Sequence, residues 1–204
     1  MNIDFKSKLF ATLFLSFILL LVSLFVTYQG IEKNNKMIVN IEKKQMKLSY
    51  LANKLNHDIE MNQANVLQSI VLNTSFSVQN SQTSLKELSE LVSRLQKFIQ
   101  KSKITNRYIE NTIDKITRRM VSYRAVQDSL ALSIESKDLE DIQDAIIGFN
   151  AITVKFAQDI ESLIDKSNEI LYTKLLEIKE SNSNSANTLI ISFITAFTLI
   201  FFSM

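Results

Sequence analysis

No proline occurs in this chain, and only two glycines, Gly30 and Gly148, interrupt its 204 residues. Proline and glycine punctuate sheets and tight turns, so a chain almost without them is expected to be helix nearly throughout. The second constraint is where the apolar residues lie. Averaged over the chain, 46% hydrophobic and 22% charged residues make a globular composition. The apolar residues are nonetheless concentrated at the two ends.

Residues 9–28, "LFATLFLSFILLLVSLFVTY", carry no charge. About twenty residues at ~1.5 Å each suffice to cross a hydrocarbon core of ~30 Å. Lys6 and Lys8 precede the run, the pattern of a cytoplasmic flank. A cleaved signal peptide has an apolar core of about 7 to 15 residues and a small-residue cleavage site. This run is longer and "FVTYQGIEK" offers no Ala-x-Ala, so a retained anchor is expected. Residues 188–204, "TLIISFITAFTLIFFSM", are again uncharged and stand at the short end for a spanning helix. In water such a tail would cost ~25 cal/mol per Å² of apolar surface. It reads as a second transmembrane helix cut before its cytoplasmic flank, which makes the chain the front part of a longer receptor. The expected layout is a cytoplasmic N-terminus at 1–8, transmembrane helix one at 9–28, a periplasmic domain at 29–187 and a truncated transmembrane helix two at 188–204. The expected location is a bacterial inner membrane.

If both ends of the middle stretch return to one membrane, it must hold an even number of rods. Apolar positions mostly three and four apart, at Ile31, Ile38, Ile41, Leu48, Ala52, Leu55, Ile59, Val66 and Ile70, predict a helix continuing out of the first anchor. Its seam stops near Asn73, and "NTSFSVQNSQTS" has no periodicity. Ser84 and Glu87 have the spacing of a capping box for helix two, with Leu85, Leu88, Val92, Leu95 and Ile99 as its seam. Ile109, Ile113, Ile116, Met120, Tyr123, Gln127, Leu130 and Ile134 form a later seam; the sequence alone permits one long helix through "QKSKITNR", and it is the even number of rods that sets a break near residues 101–106 and makes this helix three. Helix four is expected to start at "ESKDLED", with Ser136 as N-cap and Asp138, Glu140 and Asp141 complementing the helix dipole. Its seam runs through Leu139, Ile142, Ile146, Phe149, Thr153, Phe156, Ile160 and Leu163, then drifts by Leu171, Leu175 and Ile178 into the second apolar run. The expected fold class is all-α: an elongated antiparallel up-down-up-down four-helix bundle flanked by two transmembrane helices.

The layout, with residues 134–165, "IESKDLEDIQDAIIGFNAITVKFAQDIESLID", as an acidic cap leading to alanine, leucine and phenylalanine at bundle spacing, resembles a known sensor. It is similar to the four-helix-bundle periplasmic sensor region of bacterial methyl-accepting chemotaxis receptors, a region also found on histidine kinases and diguanylate cyclases. The resemblance covers the whole chain in layout. It implies a parallel homodimer in which ligand binding shifts the last periplasmic helix and its membrane continuation relative to the first. Aspartate-type receptors of this family hold ligand carboxylates with arginines on helix one. This chain has no arginine before Arg94, so an aspartate or serine specificity does not carry over.

The remaining residue types narrow the chemistry. A net charge of +2 with interspersed lysines and acids gives no electrostatic footprint for nucleic acid. Zero cysteines removes disulfides, thiolate metal sites and thiol nucleophiles. The single histidine, His57, falls off the seam and reads as a solvent-facing residue. No glycine-rich phosphate loop and no nucleophilic triad spacing occurs, so the expectation is no enzyme, no metal and no cofactor. The binding expectation centres on helix three, where Arg119 and Arg124 flank the seam residue Tyr123: arginine forks suit carboxylates and an aromatic gives an apolar wall. Asn62, Ser69 and Asn73 interrupt the seam of helix one with polar groups that need partners if buried. Asn62, Ser69, Asn73, Arg119, Tyr123 and Arg124 are therefore the candidate ligand-binding residues, for a small molecule or a periplasmic binding protein. The competing structural reading pairs the arginines with surface acids and lets the asparagines set helix register.

Overall fold

The computed structural model describes residues 5–71, 78–136 and 138–203. Among them the fold is all-α, with no strand. The elements are α1 (Phe5–Asn40), a π-helical turn (Ile41–Met46), α2 (Lys47–Val71), α3 (Val78–Ser102), α4 (Arg107–Ser136) and α5 (Leu139–Ser203). They form two compact units. One is Lys43–Leu171; the other joins the described parts of Met1–Glu42 and Tyr172–Met204, so α5 contributes to both.

In the unit Lys43–Leu171 the periodic apolar positions close on one core. Leu48, Leu55, Ile59 and Val66 of α2 share a cluster with Leu85, Leu88 and Leu95 of α3, Ile109, Ile116 and Leu130 of α4, and Phe149, Phe156, Ile160 and Leu163 of α5. Fully burying a side chain of this kind contributes ~1.5–3 kcal/mol. Side-chain contacts link the helices in opposite numerical order. Between α2 and α5, Ser49 meets Asn168 and Gln63 meets Asn150. Between α4 and α5, Lys166 lies over the Tyr108 ring and Arg119 pairs with Asp159. Between α2 and α3, Lys47 lies over the Phe98 ring and Ser84 reaches Asn62.

The break predicted at residues 101–106 is present, and its geometry explains it. Lys103 takes φ 49°, the left-handed conformation that ends helices. The Ile104 amide returns to the Ile99 carbonyl at 3.5 Å and the Lys103 amide to that of Gln100 at 3.4 Å. Ile104 and Ile99 are both buried, supplying the apolar contact that accompanies such a stop. Asn106 then caps α4, its Oδ1 accepting from the amides of Tyr108 at 3.0 Å and Ile109 at 3.2 Å.

Two predicted caps are corrected. α3 begins at Val78, so Ser84 lies inside the helix and its hydroxyl points across to α2 instead of to a free amide. α5 is capped by Asp138, whose Oδ1 accepts from Glu140 at 2.9 Å and Asp141 at 3.3 Å. Ser136 ends α4 and donates to the Ser133 carbonyl. A carboxylate is the stronger acceptor at a positive helix end, which is why it displaces the serine. The predicted end of the first seam near Asn73 lies outside the described residues.

In the other unit, α1 packs on the last part of α5 with its small residues inward. Asn34 Nδ2 donates to Asn182 Oδ1 at 2.6 Å. A Cβ placed on Gly30 would lie 2.7 Å from Ser185 Oγ, a measure of how closely the two backbones approach. Ser16, Ser23 and Asn34 of α1 are buried, as are Ser192 and Ala196 of α5. The large side chains point away: Phe10 is 73% exposed, Phe25 61%, Phe197 73% and Phe201 76%. Ile31 and Ile38, expected on the seam, are half exposed, because the close approach at Gly30 turns Asn34 inward instead. Two helices are long and apolar enough to cross a membrane, and only 11% and 6% of their most apolar stretches are buried.

Candidate functional site

Four helices each send polar groups into the centre of the unit Lys43–Leu171. Asn62 follows Leu55 and Ile59 on the inner face of α2, seven and three residues on, which places its amide in the core at 4% exposure. Tyr123 and Gln127 stand one turn apart on the inner face of α4, and both are fully buried. Ser84 lies one turn before Leu88 on α3, and Thr153 one turn after Phe149 on α5.

These residues meet. Asn62 Nδ2 donates to Tyr123 Oη at 2.6 Å and to Gln127 Oε1 at 2.8 Å. Asn62 Oδ1 accepts from Ser84 Oγ at 2.6 Å. The Thr153 side chain hydrogen-bonds the Tyr123 hydroxyl and also donates to the Phe149 carbonyl at 2.7 Å. Each helix of the core therefore contributes to one polar layer. Apolar rings enclose it: Phe149 and Phe156 sit 5.4 and 5.6 Å from the Tyr123 ring centroid, the second edge-on. A neighbouring pair, Gln63 Nε2 to Asn150 Oδ1 at 2.9 Å, joins α2 to α5.

Burial pushes the Tyr123 hydroxyl up to about 12, against an opposing pull from its hydrogen bonds with Asn62 and Thr153. At neutral pH it is a protonated phenol that holds position through hydrogen bonds. It is not a base.

The six candidate ligand residues divide. Asn62 and Tyr123 are brought into direct contact. Arg119 turns toward α5, where its Nε pairs with Asp159 Oδ2 at 3.0 Å in a partly buried ion pair. Arg124 is exposed, one residue beyond the buried Tyr123 and so about 100° round the helix. Ser69 lies in α2, two turns past Asn62, and Asn73 lies outside the described residues. Gln127, Ser84 and Thr153 complete the layer but were not among the candidates. Gln127 and Thr153 were legible as polar residues on otherwise apolar seams; Ser84 was hidden by its resemblance to a cap.

His57 is exposed on α2. Among the described residues no group of three histidine or acidic side chains stands close enough to hold a metal ion. Comparison with family models, curated proteins and solved structures returned no match to this chain.

Proposed function

We propose that the chain is the ligand-sensing and transmembrane-signalling region of a bacterial inner-membrane receptor of the chemotaxis type. In this reading α2, α3, α4 and the first part of α5 are an antiparallel four-helix bundle in the periplasm. Residues 9–28 and 188–204 cross the bilayer, and two copies pair in parallel. The observation that carries the reading is the inverted construction of the unit formed by the chain ends. Its phenylalanines and leucines face outward while serines, Gly30, Asn34 and Ala196 face inward. In water this arrangement would expose the apolar surface that drives folding. In lipid, where tails and leucines are equally apolar, close packing of small residues is what holds helices together. The bounds of α5 add the signalling element, since one helix supplies both Phe156 of the core and the apolar residues from Thr188 on.

A structural membrane tether is the second reading, and a specific observation favours it. The polar layer satisfies itself, and Arg119 is engaged with Asp159, as register-setting groups would be.

Engineered cysteines separate the two, because no native cysteine competes with them. In intact spheroplasts a membrane-impermeant maleimide should label Lys97→Cys but not Lys8→Cys until the membrane is opened. With Gln63→Cys and Asn150→Cys together, the disulfide-forming rate is then followed while amino acids, organic acids, sugars and a periplasmic extract are added in turn. A receptor changes its rate with at least one addition, and the change is lost when Arg119 and Arg124 become alanine. A rate indifferent to all of them favours the tether.

A further inference from the structure

Besides its small-residue face, α1 carries an apolar track that the rest of the described chain leaves open. Phe10, Phe14, Phe17, Leu21, Leu24, Tyr28, Ile31, Asn35 and Ile38 follow one another four and three residues apart without a slip, and every one is exposed. This is the spacing of a coiled-coil seam. Within residues 9–28 lipid accounts for any apolar side chain, so the first six positions decide nothing. Ile31 and Ile38 decide it. On the proposed membrane reading, on which this inference rests, they stand three and ten residues past the end of the first apolar run, or ~5 and ~15 Å. The headgroup layer is ~5–8 Å deep on each side, so Ile38 stands in water.

The charges of this stretch avoid the track. Glu32, Lys33 and Lys36 lie about 100–200° round the helix from Ile31. Glu32 and Lys36 engage each other at 2.6 Å. The corresponding exposed track on α5 behaves differently: Phe201, Phe197, Ile194 and Ile190 give way to Asn187, Ser183 and Glu180 as soon as the helix leaves its apolar run.

We propose that this outer face of α1 pairs with the same face of α1 in a second copy, in parallel and in register, from Phe10 to Ile38. Copies anchored in one membrane carry α1 in the same direction and at the same depth. A matching face must be apolar in the bilayer and keep large apolar residues through the ~15 Å beyond it, which α1 offers and α5 does not. Ile31 and Ile38 then leave water by packing on their own counterparts. Asn35, the one polar member of the track, meets its counterpart and fixes a two-stranded register, as a single seam asparagine does. The side chains of Phe10, Phe14, Phe17 and Tyr28, ~200 Å² each, are 59–73% exposed and offer roughly 500 Å² per copy before the aliphatic ones are added. A stable interface takes ~800 Å² per partner.

The test is a scan of single cysteines at residues 28–42 of the full chain in native membranes, each oxidised and followed for disulfide-linked dimer. Rates should peak at Tyr28→Cys, Ile31→Cys, Asn35→Cys and Ile38→Cys and fall at least tenfold at Lys33→Cys and Lys36→Cys. Adding Ile38→Glu to Ile31→Cys should slow the dimer at least fivefold. Disulfide formation between Asn34→Cys and Asn182→Cys, measured in the Ile38→Glu background, should persist and so exclude collapse of the chain ends. Even rates round the helix, or peaks at Lys33→Cys and Lys36→Cys, overturn the proposal. So does an adduct whose mass is not twice that of the chain, which makes another protein the occupant. A chain carrying Ile38→Cys that links faster to a copy carrying Leu176→Cys than to itself makes α5 the partner and overturns it too. Labelling of Lys97→Cys and Lys8→Cys in the same membranes separates the two failures. Correct sidedness without the peaks defeats the seam alone, and equal labelling of both before the membrane is opened defeats the membrane reading with it.

Discussion

At the scale of single residues, Asn62 is the side chain on which most depends. It is the common partner of Ser84 on α3 and of Tyr123 and Gln127 on α4, so removing it takes a hydrogen bond from buried groups on two helices. An unsatisfied buried polar group costs ~1–3 kcal/mol, and the remaining groups can partly repair one another. Asn62→Ala is therefore expected to lower stability by ~2–4 kcal/mol in urea titrations of the detergent-solubilised chain. A loss below ~0.5 kcal/mol would show that the layer is dispensable. Tyr123 makes a pH prediction. Its folded value of about 12 lies above its ordinary value of 10.0, so the folded state holds the proton more tightly. The contribution is whole below pH ~10 and is lost as pH rises toward ~12, at ~1.4 kcal/mol per unit and ~2–3 kcal/mol in all. Phenolate absorbance should show one tyrosine titrating late, and Tyr123→Phe should remove that phase and flatten stability between those pH values. The candidate site was half legible in the sequence for a plain reason. Asn62 and Tyr123 interrupt apolar seams and announce themselves, but the partner of an arginine depends on which helices become neighbours. Periodicity along one helix carries no such information, which is why the sequence left Arg119 between a ligand role and a surface ion pair and could not name Asp159 as its partner.

At the scale of elements, the helices were legible and their ends less so. Apolar seams locate α2 through α5 because burial acts over many turns, whereas a cap turns on one or two hydrogen bonds and several residue types compete for it. The turn after α3 gives a test. Lys103 occupies a left-handed conformation that glycine adopts without steric cost. Lys103→Gly is expected to raise stability by up to ~1 kcal/mol and Lys103→Val to lower it. Asp138→Ala should cost ~1 kcal/mol by leaving the first amides of α5 uncapped. The π-helical turn went unpredicted for a physical reason: Asn34, Ile41, Leu48, Leu55 and Asn62 are buried and recur every seven residues straight through it, so this buried track carries no shift that announces the turn. Gly30 supplies the third test at this scale. A Cβ there meets only the tip of Ser185, whose hydroxyl can rotate away from its bond to the Ser181 carbonyl. Gly30→Ala should thus be close to neutral, since alanine gains up to ~1 kcal/mol of helix preference. Gly30→Leu has no such escape and should abolish cross-linking between Asn34→Cys and Asn182→Cys.

At the scale of the whole molecule, the two units obey opposite solvation rules, and this difference is itself measurable. The core of Lys43–Leu171 buries leucine, isoleucine and phenylalanine in the order that water imposes. The unit of the chain ends buries Ser16, Ser23 and Ser192 and presents Phe14, Phe17, Phe193 and Phe197 outward. The hydroxyls of Ser16 and Ser23 find no hydrogen-bond partner among the described residues, so what they contribute is small size, not bonding. Urea weakens apolar burial from water, and it acts little on helices whose outer faces are covered by detergent. A urea titration in detergent should accordingly give two transitions. The near-ultraviolet signal of the buried Tyr123 should vanish first. Disulfide formation between Asn34→Cys and Asn182→Cys should persist to higher urea, as should the circular dichroism of the helices that carry them. Coincident loss of both signals would mean that the ends depend on the core for their pairing. Separate loss supports a membrane-held pair that outlasts the domain it carries.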